Sequence, residues 1–302
     1  MAQLHILVTG STGFVGSALV PFLAASGHRV TRLVRAIPPP GNAEVQWDPK
    51  AGVLDAARLE GLDAVVHLTG ENIATGRWTA EKKAKIRDSR VGGTRVLCDS
   101  LAGLKQPPKV MVCASATGYY GDRGDELLTE ESTSGTGFLA GVCREWEAAA
   151  KPAVQKGIRV VHLRFGMVLS GAGGALAKLL PPFRMGLGGV LGTGRQYISW
   201  IALDDLLGVI AHALTTEALQ GPVNAVTPNP VTNQEFTRTL GWLLSRFTVF
   251  PIPAAAARLA FGEMADEVLL ASQRVQPTRL LATGYRFRYP DLEGALRHSL
   301  GH

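Results

Sequence analysis

The most informative stretch of this chain is Ile6-Leu7-Val8-Thr9-Gly10-Ser11-Thr12-Gly13-Phe14-Val15-Gly16. An apolar run ends in a loop with glycines at positions 10, 13 and 16, and a helical pattern follows at once. In a strand–loop–helix unit, Gly10 permits the tight turn, Gly13 lets backbone N–H groups approach a pyrophosphate, and Gly16 lets helix and strand touch. The positive N-terminal end of the helix then faces the phosphates. Residues 10–16 therefore predict a dinucleotide site, with a purely structural turn as the alternative.

The end of the second predicted strand indicates which dinucleotide binds. Residues 29–34 have a strand pattern, and Arg35 follows them where an NAD enzyme usually keeps Asp or Glu for the ribose 2′-hydroxyl. A carboxylate would repel a 2′-phosphate, whereas a guanidinium pairs with one. We therefore expect NADP(H) as the cofactor; the alternative is a surface arginine that closes a strand.

Strands and helices alternate along the first half of the chain. This order predicts an α/β fold, a doubly wound parallel Rossmann-type sheet with right-handed crossovers and a smaller C-terminal substrate lobe. Residues 1–165, joined by 199–226, are expected to form the NADP-binding domain, and 166–198 with 227–302 the mainly helical lobe, including a C-terminal segment at 249–298. Predicted strands lie at 63–70, 109–115 and 159–165, predicted helices at 15–26, 79–104 and 138–155, and a proline-rich surface loop at 37–41.

Composition excludes several classes of protein. Hydrophobic residues make up 46% of the 302 positions and charged residues 19%, as in an ordinary globular protein with ample core. No apolar run reaches the roughly 18 residues that cross a bilayer, and the first strand leaves no room for a signal peptide. The three cysteines match no metal or redox spacing, which favours reduced thiols in the cytoplasm.

The net charge of +6 favours an anionic ligand but not a nucleic acid. The densest basic group, at 82–90, is interleaved with acidic residues, as on a solvated helix face, and no aromatic-basic motif accompanies it. We expect a small-molecule substrate, no nucleic-acid partner and no membrane. The sequence does not indicate an oligomeric state.

Several motifs together resemble a known family. The glycine loop, Ser115 at a strand end and Asp204-Asp205 are similar to extended short-chain dehydrogenases/reductases. Finer features resemble the atypical "epimerase family" subfamily, whose members have been labelled sugar epimerases or cell-division inhibitors; they are His67-Leu68-Thr69-Gly70-Glu71-Asn72-Ile73, Ser115 to Gly121, Phe138-Leu139-Ala140 through Trp146-Glu147, and the segment from Pro251 to Leu292. The resemblance covers nearly the whole chain.

The resemblance also shows a departure from the superfamily. Ordinary members use a Tyr-x-x-x-Lys pair, in which the lysine lowers the pKa of the tyrosine and holds the nicotinamide ribose. Aligned by spacing, Ser115 takes the place of the substrate-orienting serine, but Leu139 occupies the tyrosine position and Cys143 the lysine position. Arg90 replaces the asparagine of the proton relay. The usual acid/base groups are therefore missing.

Other residues could carry the proton or hold the cofactor. Tyr119 and Tyr120 follow Ser115 at the carboxyl edge of the sheet and are the best catalytic candidates, with aromatic packing as the alternative. Cys143 is a weaker candidate, because it shares a helical face with apolar residues. The remaining predicted cofactor contacts are Leu68, Thr69, Gly70, Glu71 and Arg90, and by analogy Arg184, Arg195, Tyr197 and Trp200 meet the substrate.

The sequence thus predicts an NADP(H)-binding oxidoreductase or epimerase-like protein, acting on a small, sugar-like or anionic substrate. The alternative is a catalytically idle regulator or interaction protein that binds the dinucleotide. No metal site is expected.

Overall fold

A computed structural model describes residues 3–37, 43–48 and 53–301. All but the first residue of the predicted proline-rich loop at 37–41 lies outside the described residues. The strands are β1 His5–Thr9, β2 Arg29–Val34, β3 Glu44–Asp48, β4 Val53–Leu54, β5 Ala64–His67, β6 Val110–Ala116, β7 Leu127–Leu128, β8 Arg159–Phe165, β9 Met167–Leu169, β10 Tyr197–Ile198, β11 Trp200–Ala202, β12 Gly221–Ala225, β13 Val231–Thr232 and β14 Arg274–Val275.

The helices are α1 Phe14–Ala25, α2 Ala80–Ala102, α3 Phe138–Ala148, α4 Lys151–Gln155, α5 Gly174–Arg184, α6 Leu203–Thr215, α7 Asn233–Leu243, α8 Ala254–Phe261, α9 Thr278–Ala282 and α10 Leu292–Leu300. Short turns of 3-10 helix cover Ala56–Leu59 and Thr117–Tyr120, and a π-helical turn covers Ala265–Leu269.

The main sheet has the order β12-β8-β6-β5-β1-β2-β3-β4. The seven strands from β12 to β3 are parallel, and β4 is antiparallel to β3 at the edge. The strand order reverses between β1 and β5, which is where open α/β sheets bind ligands at the carboxyl ends of their strands. This architecture confirms the predicted doubly wound parallel sheet.

Helices cover both faces of the sheet, as the continuous apolar sequences of its central strands require. Ile6, Leu7 and Val8 of β1 are fully buried, because a parallel strand is covered on both sides. One face packs against α1 and α6, the other against α2 and α4. A separate apolar cluster joins α5, α7 and α10 with β9 and β11.

The predicted helix over 138–155 is two helices, α3 and α4. The break falls at Ala149–Ala150, just before Pro152, whose ring prevents an uninterrupted helix. Among the described residues no helix is both apolar and long enough for a membrane span, and no cluster of three or more His, Cys, Asp or Glu could hold a metal ion. Cys98, Cys113 and Cys143 are buried free thiols.

The C-terminal segment contacts two distant parts of the chain, β7 and the start of α6. β14 pairs in parallel with β7, a short strand that follows β6 in the chain. Further on, the Asp205 carboxylate accepts hydrogen bonds from the backbone N–H groups of Arg288 at 2.7 Å and Tyr289 at 2.9 Å. The Asp204-Asp205 motif therefore anchors the end of the chain to the start of α6.

Candidate coenzyme and active site

The loop at residues 10–16, hereafter the glycine loop, closes tightly against the end of β5. Gly10 has a φ of +65°, and a Cβ there would lie 2.9 Å from the carbonyl carbon and oxygen of Leu68. A Cβ on Gly16 would lie 2.1 Å from the Gly10 carbonyl oxygen. Only glycine fits at these two positions, because backbone atoms cannot move aside as a side chain can.

The N-terminus of α1 is left open to a ligand. Its N-cap is Gly13, which has no side chain to accept from the first N–H groups, and the first turn contains no acidic residue. Ser11 Oγ is buried and has no hydrogen-bond partner among the described residues. Buried hydroxyls are normally paired, so this atom indicates a missing ligand group. A phosphate at a helix N-terminus would supply that group.

Arg35 follows β2 at the same edge of the sheet. The side chain is exposed and forms no hydrogen bond or ion pair with the described residues. Its neighbour Arg32 is instead paired with Glu44 across the strands. Because β2 lies directly beside β1, the Arg35 guanidinium is free to meet a ligand that extends from the glycine loop.

The predicted contacts at the end of β5 bring in Arg90 from α2. The Arg90 guanidinium packs against Gly70, where a Cβ would lie 3.1 Å from Cζ. Its Nη1 donates to the carbonyl oxygens of Glu71 at 3.0 Å and Ile86 at 3.1 Å. The Glu71 carboxylate pairs with Lys82 Nζ at 2.5 Å, and this hydrogen bond lowers the pKa of Glu71. Glu71 therefore accepts a hydrogen bond from Arg90 through its backbone carbonyl, while its carboxylate is paired with Lys82.

A buried polar chain lies beneath the glycine loop. Thr9 Oγ1 lies 2.7 Å from His67 Nδ1, and His67 Nε2 lies 3.0 Å from Thr94 Oγ1. Trp146 Nε1 donates to the same Thr94 oxygen at 2.9 Å. Burial lowers the pKa of His67 to about 4, so the ring is neutral at pH 7. Hydroxyls and a neutral imidazole thus link β1, β5, α2 and α3.

Ser115 belongs to a buried cluster of side chains, hereafter the Ser115 cluster, composed of Ser115, Tyr120, Glu147, Arg164 and Asn224. Ser115 Oγ donates to Glu147 Oε1 at 2.7 Å. Arg164 forms a bidentate ion pair with the same carboxylate, with both N–O distances at 2.9 Å. Sequence spacing placed Glu147 eight residues past the tyrosine position but did not show that it binds Ser115.

The two tyrosines after Ser115 have different surroundings. Tyr120 is fully buried, and its hydroxyl donates to Asn224 Oδ1 at 2.7 Å and accepts from Arg164 Nη1 at 3.0 Å. Burial raises the pKa of Tyr120. Tyr119 is half-buried, with its ring centroid 3.5 Å from Arg164 Cζ, and its hydroxyl makes no hydrogen bond with the described residues. Tyr119 alone of the pair has a hydroxyl available to a ligand.

Cys143 lies on the buried face of α3, beside Trp146. Burial raises the pKa of its thiol to about 12, so at neutral pH it is a small protonated side chain. Leu139 packs against Gly118, where a Cβ would lie 3.4 Å from Leu139 Cβ. Both positions of the absent Tyr-x-x-x-Lys pair are therefore occupied by packing side chains.

Sequence reasoning missed Glu267, which caps α3 from the C-terminal segment. Its carboxylate accepts from the backbone N–H groups of Phe138 and Leu139, both at 3.0 Å. Gly137 has a φ of +102°, and a Cβ there would lie 2.2 Å from Glu267 Oε1. No local motif could have revealed a partner 128 residues away.

The residues assigned to the substrate by analogy are dispersed. Arg184 and Arg195 are exposed, and Tyr197 is half-buried with Arg274 Cζ 5.0 Å from its ring. Trp200 is fully buried, and its Nε1 donates to the Asn229 carbonyl oxygen at 3.1 Å. Trp200 belongs to the apolar cluster that joins α5, α7 and α10, so Arg184 and Arg195 are the exposed members of this group.

Two protein-family models match most of this chain. The model of the NAD dependent epimerase/dehydratase family matches residues 6–225, and that of a domain of unknown function, DUF1731, matches residues 252–299. An epimerase family protein of Mycobacterium bovis is 44% identical over 99% of this chain and 98% of its own length. These matches confirm the resemblance drawn from the motifs.

Two solved structures are similar over almost the whole chain. The human epimerase family protein SDR39U1, crystallised with NADPH, has a TM-score of 0.90 at 36% identity and covers 99% of this chain and 100% of its own. A nucleoside-diphosphate sugar epimerase from Corynebacterium glutamicum has a TM-score of 0.81 at 40% identity, over 99% of this chain but 59% of its own.

Proposed function

The chain belongs to the NAD-dependent epimerase/dehydratase family, and on this basis we propose that it is an NADP(H)-dependent oxidoreductase or epimerase acting on a small polar substrate. The observation that carries the proposal is the buried Ser11 hydroxyl, which has no hydrogen-bond partner among the described residues and lies beside a helix N-terminus without a side-chain cap. The human relative that shares this fold was crystallised with NADPH.

The residues present fit the diphosphate and the 2′-phosphate of the coenzyme. The glycine loop would hold the diphosphate, and the unpaired Arg35 would pair with the 2′-phosphate through charge-assisted hydrogen bonds. Leu68, Thr69 and Gly70 would provide backbone contacts at the end of β5. The coenzyme supplies hydride transfer when bound. The part of the chain at 166–198 and 227–302 would then act as the substrate lobe, within the cytoplasm.

We assign proton transfer to Tyr119. Its hydroxyl has no partner among the described residues, and its ring lies on Arg164 one strand end away from Ser115. The Ser115 hydroxyl already donates to Glu147, so it can accept a hydrogen bond from a substrate but has no second proton to donate. Ser115 therefore orients the substrate, and Tyr119 exchanges the proton with it.

The test combines binding with turnover. The protein is titrated with NADPH, then incubated anaerobically with 4-deuterated NADPH and a panel of carbonyl metabolites, with mass spectrometry to detect deuterium transfer. We expect saturable NADPH binding and transfer to at least one compound. Tight binding with no transfer across the panel would favour the idle regulator, and no binding would contradict the proposal.

Tyr119→Phe and Tyr120→Phe form a matched pair for the proton step. Tyr119→Phe should lower kcat at least a hundredfold and leave NADPH affinity unchanged, since general acid–base groups contribute typically 10²- to 10⁴-fold. Tyr120→Phe should instead reduce stability, because Asn224 and Arg164 lose a buried partner. Equal turnover in Tyr119→Phe and wild type would remove Tyr119 from the mechanism.

A further inference from the structure

The nicotinamide end of the proposed site contains a guanidinium that is not in direct contact with a carboxylate of the described residues. Arg90 forms no ion pair with the described residues, and Nη1 alone uses its two hydrogens, on two carbonyl oxygens. Three of the five guanidinium N–H groups, those of Nη2 and Nε, have no acceptor among the described residues. A half-buried cation with unused donors favours an incoming ligand.

The position of Arg90 relative to Arg35 follows from the strand order. Arg35 follows β2, the glycine loop follows β1, and Gly70, on which Arg90 lies, follows β5. Neighbouring strands are about 4.8 Å apart, so the ends of β2 and β5 are about 10 Å apart on opposite sides of the diphosphate loop. A dinucleotide that places one ribose at Arg35 must extend its other half toward Arg90.

The neighbouring charged groups at this edge cancel in pairs. Lys82 is paired with Glu71, and Arg164 is paired with Glu147. Beyond Arg90, α3 presents Cys143 and the ring of Trp146, whose centroid lies 5.1 Å from Arg90 Cζ. Burial keeps the Cys143 thiol protonated and neutral. Glu71 also attracts Arg90, but its negative charge is shared with Lys82, so the net charge of Lys82, Glu71, Arg164, Glu147, Cys143 and Arg90 together is positive.

We propose that Arg90 binds the nicotinamide half of the coenzyme and makes the protein prefer NADPH to NADP⁺. This inference rests on the proposed function. The oxidised ring carries a positive charge and the reduced ring does not, so an unbalanced guanidinium nearby disfavours the oxidised form. At a partly buried site this repulsion is screened less than in water, so it lowers the affinity for the oxidised form measurably. We expect NADPH to bind about tenfold more tightly than NADP⁺.

The experiment measures dissociation constants for NADPH, NADP⁺ and 2′,5′-ADP, a fragment without the nicotinamide half, by calorimetry. The variants are Arg90→Gln, Arg90→Lys and the control Arg95→Gln, an exposed arginine of the same helix. Arg90→Gln should weaken NADPH about tenfold, weaken NADP⁺ little and leave 2′,5′-ADP within twofold. Arg90→Lys keeps the charge and should keep the preference for NADPH. Arg95→Gln should change nothing.

The outcomes separate this inference from the proposed function. Equal losses for all three ligands in Arg90→Gln would show a purely structural role and overturn the inference. A wild type that binds NADPH and NADP⁺ equally would overturn it as well, while leaving the proposed function intact. A wild type that binds neither coenzyme form would overturn both. Thermal melts of each variant show whether Arg90→Gln folds, and Arg90→Lys tests the charge if it does not.

Discussion

The glycine loop and the Ser115 cluster lie two strand ends apart on one sheet and are built in opposite ways. The glycine loop is backbone with an unused hydroxyl, that of Ser11, and an open helix N-terminus. In the Ser115 cluster, by contrast, hydroxyl, carboxylate, guanidinium and phenol all bond to one another. The glycine loop therefore needs a ligand to satisfy its polar groups, whereas the polar groups of the Ser115 cluster are satisfied by one another.

The largest expected effect tests whether the Ser115 cluster is mainly framework. Glu147→Gln leaves Arg164, whose side chain is 3% exposed, as an unpaired buried charge. Such losses cost about 3–5 kcal/mol, and urea unfolding should show this decrease. Glu145→Gln, on the exposed part of the same helix and paired with Arg87, should cost under about 1 kcal/mol. Similar effects of the two variants would contradict a buried framework.

Acid should lower the free energy of unfolding through His67, which lies in the buried polar chain beneath the glycine loop. The folded-state pKa of His67 is about 4 and its unfolded value about 6.5, so between these pH values the unfolded chain binds a proton that the folded chain does not. The stabilisation is present above pH 6.5 and lost as pH falls toward 4, by about 3 kcal/mol from this group. His67→Gln should flatten the pH dependence of the free energy of unfolding in this window. An unchanged slope would show that His67 does not cause the loss of stability in acid.

Gly16→Ala should break the glycine loop. The new methyl would lie 2.1 Å from the Gly10 carbonyl oxygen, so the helix must shift away from the loop. Overpacking against backbone should cost about 2 kcal/mol and abolish measurable NADPH binding. Gly92→Ala is the control, since no atom lies within 4 Å of its Cβ position in α2, and it should be stabilising by about 0.5–1 kcal/mol. Full NADPH affinity in Gly16→Ala would refute the assigned role of the loop.

Arg35→Ala tests the outer end of the proposed coenzyme site. Loss of a charge-assisted pair with the 2′-phosphate should raise the Kd for NADPH about twentyfold and leave the Kd for NADH within twofold. The control is Arg29→Ala, at the opposite end of the same strand. Equal losses for both coenzymes would mean that Arg35 does not contact the 2′-phosphate.

The smallest expected effect concerns the cap on α3. Glu267→Gln keeps an acceptor for one of the two amides but removes the negative charge at the helix N-terminus, which should cost about 1 kcal/mol. Hydrogen exchange at the amides of Phe138 and Leu139 should become faster, while exchange in α1 stays unchanged. Unchanged exchange in α3 would show that the cap does not hold this helix in place.

Local sequence patterns were sufficient to predict the glycine loop but insufficient to predict the contacts of the Ser115 cluster. Strand–loop–helix order, glycine spacing and the apolar runs of β1, β5 and β8 predicted the fold, since each is a short-range signal of backbone conformation. Arg35 could be singled out because its place is fixed by the end of one strand. Glu267, Asn224 and Arg164 bond to residues 17 to 129 positions away, so only the folded chain reveals them.

The structure describes the surroundings of each predicted site residue but does not test its role. Contacts of Gly10 to Gly16, Arg35 and Arg90 with the coenzyme remain predictions, now with a geometry that fits them. Among the catalytic candidates, the surroundings favour Tyr119 and give Tyr120 and Cys143 packing environments. Tyr119, Tyr120 and Cys143 differ in burial and in hydrogen bonding, and a single sequence shows neither property.

The distance in sequence between α3 and its Glu267 cap also bears on biosynthesis. Glu267 is 128 to 129 positions from the two amides that it caps, and a ribosome adds about 5–20 residues per second. The nascent chain therefore holds a complete glycine loop for several seconds before the first turn of α3 meets its carboxylate. Translation thus produces the glycine loop well before the carboxylate that caps α3.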